Sequence, residues 1–123
     1  MSPIENKKFT TKLIESNFIA LEITAGEIID EIDIHDIYAS YKELVGENEY
    51  VVAVYGNPFS SISKKAREIA ADQYASLKRK KVALISKNTA HVLLVTFFIR
   101  VNKPKTEIKI FKKESEAFDW LRS

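Results

Sequence analysis

Three clustered serines, two histidines and a knot of carboxylates are the groups with which this sequence can do chemistry. Ser60, Ser61 and Ser63 lie in Asn57-Pro58-Phe59-Ser60-Ser61-Ile62-Ser63, and Lys64 follows. Hydroxyls at the start of a helix can accept a phosphate, which the helix dipole favours. They can equally serve the fold, with Ser63 capping the helix and the other two as polar loop residues. Ser60, Ser61, Ser63 and Lys64 form the candidate partner-binding or phosphorylation loop. His35 and His91 are the only histidines, so a Ser–His–acid triad must use one of them. His35 falls in the first turn of an acidic helix and reads as a surface residue. His91 lies in an apolar stretch and reads as a packed core or helix-surface residue. Glu27, Asp30, Glu31, Asp33 and Asp36 are dense enough for acid–base or hard-cation chemistry, yet no Ca²⁺-loop spacing is present. Asp33 reads as a helix cap and the group as a solvated acidic edge.

Several chemistries are excluded outright. The chain has no Cys, which removes disulfides, zinc–thiolate sites, iron–sulfur clusters and Cys nucleophiles. Two His cannot make a multi-His metal site within one chain. The three glycines, Gly26, Gly46 and Gly56, complete neither a dinucleotide-binding fingerprint nor a P-loop nor a Gly-x-Ser-x-Gly elbow. The expectation is no enzyme, no catalytic residue, no cofactor and no metal.

The elements that position these groups follow from hydrophobic period. Residues 8–15 and 18–24 read as a β-hairpin with its turn at Asn17. Gly26 punctuates a short extended connection over 27–32. Ile34, Ile37, Tyr38, Tyr41, Leu44 and Val45 then take helical spacing, from an N-cap at Asp33 to Gly46. Tyr50–Tyr55 reads as a buried strand, and Ser63 caps a helix with Ala66, Ile69, Ala70, Tyr74 and Leu77 on one face. Lys78–Lys81 reads as a solvated connection to a second buried strand, Val82–Ile85. Ala90–Val101 is apolar nearly all round, and the alternation of strands and helices favours a buried helix there. Asn102-Lys103-Pro104 ends it. Glu107–Phe111 alternates as a half-exposed strand, and Glu114–Arg122 closes as a short helix. The order β-β-α-β-α-β-α-β-α specifies an α/β fold with a mixed, mainly parallel sheet and helices packed on it.

The chain has 123 residues, one domain's worth. Residues 1–7 read as a flexible tail and 8–123 as a single domain. No apolar segment follows the N-terminal Met, and Ala90–Val101 is too short to span a bilayer, so a soluble cytoplasmic protein is expected. Net charge is +2 but uneven. Residues 1–50 carry 4 basic and 11 acidic side chains, and residues 51–123 carry 15 and 6. This describes either two differently charged surfaces or a basic patch for an anionic partner. Nucleic acid is an unfavoured partner, because aromatics do not interleave with Lys78–Lys81.

Ser61-Ile62-Ser63-Lys64-Lys65-Ala66-Arg67, Phe97-Phe98-Ile99-Arg100-Val101-Asn102-Lys103-Pro104 and Glu114-Ser115-Glu116-Ala117-Phe118-Asp119-Trp120-Leu121 resemble, in order and spacing, blocks of an uncharacterised bacterial family of STAS-like (SpoIIAA-like) domains. The resemblance spans about residues 8–122. It implies a small α/β domain that acts through protein–protein contact. In the anti-sigma-factor antagonists of that superfamily, a Ser at the start of the helix after a central strand is phosphorylated within an Asp-Ser-Ser/Thr-Gly-like motif. Here Ser63 falls near the motif's Asp, Lys64 near the phosphorylated Ser, and no Gly follows. The expected function is thus a non-enzymatic regulatory or protein-interaction domain. The alternative is a carrier of a small apolar ligand or lipid, marked by a closed apolar pocket beneath the 88–101 helix. That helix cannot turn all its apolar residues to one sheet, so Leu94, Phe97, Phe98 and Val101 are the candidate patch of a homodimer.

Overall fold

A computed structural model describes residues 2–57 and 60–123. Among the described residues, eight strands and four helices follow one another: β1 (Ile4–Glu5), β2 (Phe9–Glu15), β3 (Phe18–Ile23), β4 (Ile28–Ile29), α1 (Glu31–Val45), β5 (Tyr50–Tyr55), β6 (Ser61–Ile62), α2 (Lys64–Ala70), β7 (Arg79–Ile85), α3 (Thr89–Asn102), β8 (Glu107–Phe111) and α4 (Glu114–Arg122). Six of the strands form one sheet in the order β1-β2-β3-β5-β7-β8. The pairs β1/β2 and β2/β3 are antiparallel, and β3, β5, β7 and β8 run parallel. This is the mixed, mainly parallel α/β sheet that the alternation of periods predicts. Asn17, at φ 60°, turns the β2–β3 hairpin. Asn is among the residues that reach the left-handed region most easily.

Period-2 alternation along the central strands divides the core in two. Ile19, Leu21, Val52 and Val82 face Ile34, Ile37 and Tyr41 of α1 and Ala66 of α2. Phe18, Ala53 and Ala83 face Ala117 and Leu121 of α4. The first face is mainly large aliphatic, while the second mixes Ala53, Ala83 and Ala117 with Phe18 and Leu121.

Four segments differ from the sequence expectation. Ile4 and Glu5, expected within a tail, pair with Thr11 and Thr10 of β2. The N-cap of α1 is Asp30, not Asp33. Asp33 sits at the third helical position, where its Oδ2 accepts the Asp30 amide at 2.8 Å and pairs with Lys8 Nζ at 2.8 Å. It supports the cap from inside the helix. The second helix ends at Ala70, so Tyr74 is 96% exposed. Asp72 and Ala75 both take positive φ, and the Asp72 carboxylate accepts the amides of Ser76 and Leu77 at 3.0 Å each. That local pairing competes with the helix ladder and ends it. Finally, Arg79–Lys81 belong to β7. Arg79 donates from Nε to Thr106 Oγ1 at 3.2 Å and from Nη2 to the Ala70 carbonyl at 3.0 Å. Lys81 Nζ donates to the carbonyl of Trp120 at 3.0 Å. Both cations thus have fixed partners.

Candidate functional site

Bulky aliphatic side chains on the α1 face of the sheet do not fill the space before them. Leu21, Val54, Val82 and Leu84 floor a cavity of about 200 Å³. Ile37 and Tyr41 of α1 wall it on one side, with Ile62 of β6 beyond them. Leu94, Val95 and Phe98 of α3 roof it. The volume exceeds that of a cavity that admits benzene and falls below the ~300 Å³ lower end of drug-sized sites. It suits a ligand of one or two fused rings, or a short acyl chain.

The roof is loosely seated. Seven residues of α1 are buried, but in α3 only His91 is. Leu93, Phe97, Ile99 and Val101 of α3 are exposed. The apolar sequence of α3 is thus spent half on the cavity and half on solvent.

One buried histidine anchors this helix. His91 Nδ1 lies 2.9 Å from Ser86 Oγ, and Nε2 lies 3.4 Å from Ser60 Oγ. The pattern fixes the donors. Ser60 Oγ spends its proton on the Asn57 carbonyl at 2.7 Å, so it accepts from His91 Nε2–H. His91 Nδ1 then accepts the Ser86 hydroxyl, whose oxygen takes the Asn88 amide at 3.1 Å. The chain of donors runs from Asn88 through Ser86, His91 and Ser60 to the backbone beyond β5. In this arrangement His91 does not draw a proton from Ser60, so Ser60 is not an activated nucleophile. Gly56 makes the approach possible. A Cβ there would stand 2.6 Å from His91 Nδ1.

At the opposite end of β7, the Arg79 guanidinium reaches the cavity beside the Tyr38 ring, 5.7 Å from its centroid. Burial raises the Tyr38 hydroxyl pKa above its ordinary value, although the Arg79 charge pulls the other way. The cavity therefore runs from hydroxyls and imidazole at the strand carboxyl ends to a held cation at their amino ends.

The serines predicted from sequence separate. Ser60 and Ser61 line the cavity rim. Ser61 is held in β6, with its amide donating to Glu27 O at 3.1 Å. Ser63 caps α2, its Oγ accepting the Ala66 amide at 3.2 Å. Lys64 opens α2 and is exposed. Pro58 and Phe59 of this loop lie outside the described residues. The proposed dimer patch separates too. Leu94 and Phe98 turn to the cavity, while Phe97 and Val101 face solvent. His35 is exposed. Sequence reasoning did not bring together Gly56, Ser86 and His91, nor Arg79 with Tyr38, because only tertiary packing joins them. Among the described residues, no group of three or more His, Asp or Glu is placed to hold a metal ion, and no helix is long and apolar enough to cross a membrane.

Comparison with known proteins places this arrangement. The crystal structure of an uncharacterized protein of the DUF3478 family, with a SpoIIAA-like fold, from Shewanella loihica PV-4 superimposes with a TM-score of 0.67 over 98% of both chains, at 17% identity. The fold is therefore SpoIIAA-like, as the sequence blocks implied. No curated protein matches the chain. The model of a domain of unknown function, DUF7793, matches residues 12–123, and the chain belongs to that family.

Proposed function

We propose that this protein binds a small apolar molecule in the cavity between the sheet and α3. The observation that carries the reading is the cavity itself, about 200 Å³ of mainly apolar space under a helix with one buried residue. Burial of apolar surface supplies the affinity. The Ser60–His91 pair at one end and Arg79 at the other offer polar contacts that orient the occupant. Catalysis has no part in this reading, because the His91 donor pattern leaves Ser60 without a base.

Titration with naphthalene, followed by methyl chemical shifts, tests it. Saturable shifts confined to Leu21, Val54, Leu84 and Leu94 are expected. Shifts that never saturate, or that spread over exposed methyls, overturn the reading.

Exposed Ser61 at the rim, with exposed Lys64 at the start of α2, favours a second reading, the regulatory protein-interaction module implied by the SpoIIAA-like fold. A tagged chain in its native lysate would then retain a specific protein at high salt, and Lys64→Glu would release it. Retention unchanged by that substitution counts against the loop.

A further inference from the structure

We propose that the outer face of α3 docks on an anionic lipid bilayer. This goes beyond the cavity reading and does not need the cavity to be occupied. Leu93, Phe97 and Val101 recur every four residues, so they form one stripe along the helix, and they are 66%, 48% and 55% exposed. A stripe of Leu, Phe and Val in water marks a surface made for contact.

The charge around the stripe says what it contacts. Arg67 of α2 lies over the Phe97 ring, with its guanidinium carbon 5.6 Å from the centroid. Arg100, Lys103 and Lys105 are exposed at the carboxyl end of α3 and just beyond. Lys87 is exposed just before α3, and residues 82–106 contain these four cations and no Asp or Glu. The acids next to this span do not neutralise the face. Asp72 is buried, with its carboxylate on Ser76 and Leu77, and Glu107 leads into β8. On α2, Glu68 is outnumbered by Lys64, Lys65 and Arg67. A second copy would bring the same basic rim against itself across a two-fold axis, which like charge opposes. Nucleic acid offers phosphates but no apolar interior for Leu93 and Val101. An anionic bilayer offers both, with acyl chains for the stripe and headgroup charge for the cations. The helix that docks is also the cavity roof, so docking places the cavity beside the acyl region.

Flotation of the full chain with vesicles tests this, using phosphatidylcholine alone and phosphatidylcholine with about one third phosphatidylglycerol. Flotation with the anionic vesicles only is expected, falling steeply with salt. Phe97→Asp and Leu93→Asp should each lower partitioning about tenfold or more, with the circular dichroism spectrum unchanged because both residues are exposed. Arg100→Glu with Lys103→Glu should weaken anionic binding and its salt dependence together. Absence from the anionic vesicles, or flotation indifferent to Phe97→Asp, overturns the proposal. So does a dimer by light scattering that Phe97→Asp dissociates, because the stripe is then covered by a second copy. Naphthalene shifts without flotation would sink the docking proposal alone. Flotation without saturable shifts would sink the cavity reading alone.

Discussion

His91 touches two serines and a glycine, and each contact has a measurable consequence. The missing Cβ at Gly56 is the space in which the imidazole ring sits, since a methyl would meet Nδ1 at 2.6 Å. Gly56→Ala should therefore destabilise the fold by about 1–3 kcal/mol through overpacking, read from urea unfolding. A change under ~0.5 kcal/mol would mean that α3 shifts aside without cost, and that His91 is no anchor. Asp72 provides a second test. Burial pushes its carboxyl pKa up, but hydrogen bonds from Ser76 and Leu77, with the Arg79 charge, outweigh this and leave it below its ordinary 3.8. A carboxylate depressed in the folded state stabilises above that ordinary value, and the benefit is lost as pH falls through the lower folded one. Asp33 is lowered likewise; burial opposes the shift, and the Lys8 ammonium and the Asp30 amide override it. Stability should thus decline on acidification below about pH 4, and Asp72→Asn should flatten that decline. An unchanged acid limb in Asp72→Asn would remove Asp72 from the account. Neither residue's role was legible in sequence. Gly56 stood only as one of three glycines that complete no motif, and Asp72 as one acid within a run expected to be helical.

At the scale of elements, α3 and α1 are of similar length, 14 and 15 residues, yet they are held very differently. The α1 period of three and four is regular, and the stripe it forms is the stripe that is buried. Sequence therefore located it well. In α3 the apolar residues go all round, so period gives no orientation. Its helical state was inferred from the rhythm of the neighbouring strands. Which half faced the sheet was decided by Gly56 and His91, which no period reports. The expected patch of Leu94, Phe97, Phe98 and Val101 consequently spans two sides of the helix. With one buried residue, α3 should open locally at lower free energy than α1. Native-state hydrogen exchange should show the amides of Val95–Ile99 exchanging at least tenfold faster than those of Ile37–Tyr41. Equal protection would make α3 part of the global folding unit and remove its role as a roof that yields to a ligand. The early end of α2 has a local cause as well. An Asp that can bind the amides four and five residues ahead offers the chain an alternative to the helix ladder. The apolar spacing through Tyr74 and Leu77 masked it.

Across the whole molecule, the uneven charge of the sequence acquires two separate meanings. Part of it is internal. Lys80 pairs with Glu49 at 3.3 Å and Arg122 with Glu15 at 2.7 Å, joining the acidic first half to the basic second half. Both pairs are exposed, and such pairs contribute little, typically under ~1 kcal/mol. The remainder is Lys87, Arg100, Lys103 and Lys105, which flank α3 and frame its exposed stripe in a stretch free of acids. The mixed, mainly parallel sheet and the four helices were readable because strand and helix periods are local. The cavity was not, because a void is a property of residues from six or more elements failing to meet. The cavity opens partly to solvent, and a ligand that binds it only in the folded protein should make the occupied and empty proteins differ in melting temperature. A ligand at about a hundredfold its Kd stabilises by about 2.7 kcal/mol. At ~4 °C per kcal/mol for a domain of this size, that is roughly 10 °C. Protein purified gently from its native source should therefore melt higher than the same protein stripped by unfolding and refolding. Native mass spectrometry of the first sample should show a small added mass that the second lacks. If both samples melt together and weigh the same, the cavity carries no resident ligand and the stability must come from the protein alone. The naphthalene titration would then distinguish a site that binds weakly and exchanges from one that does not bind.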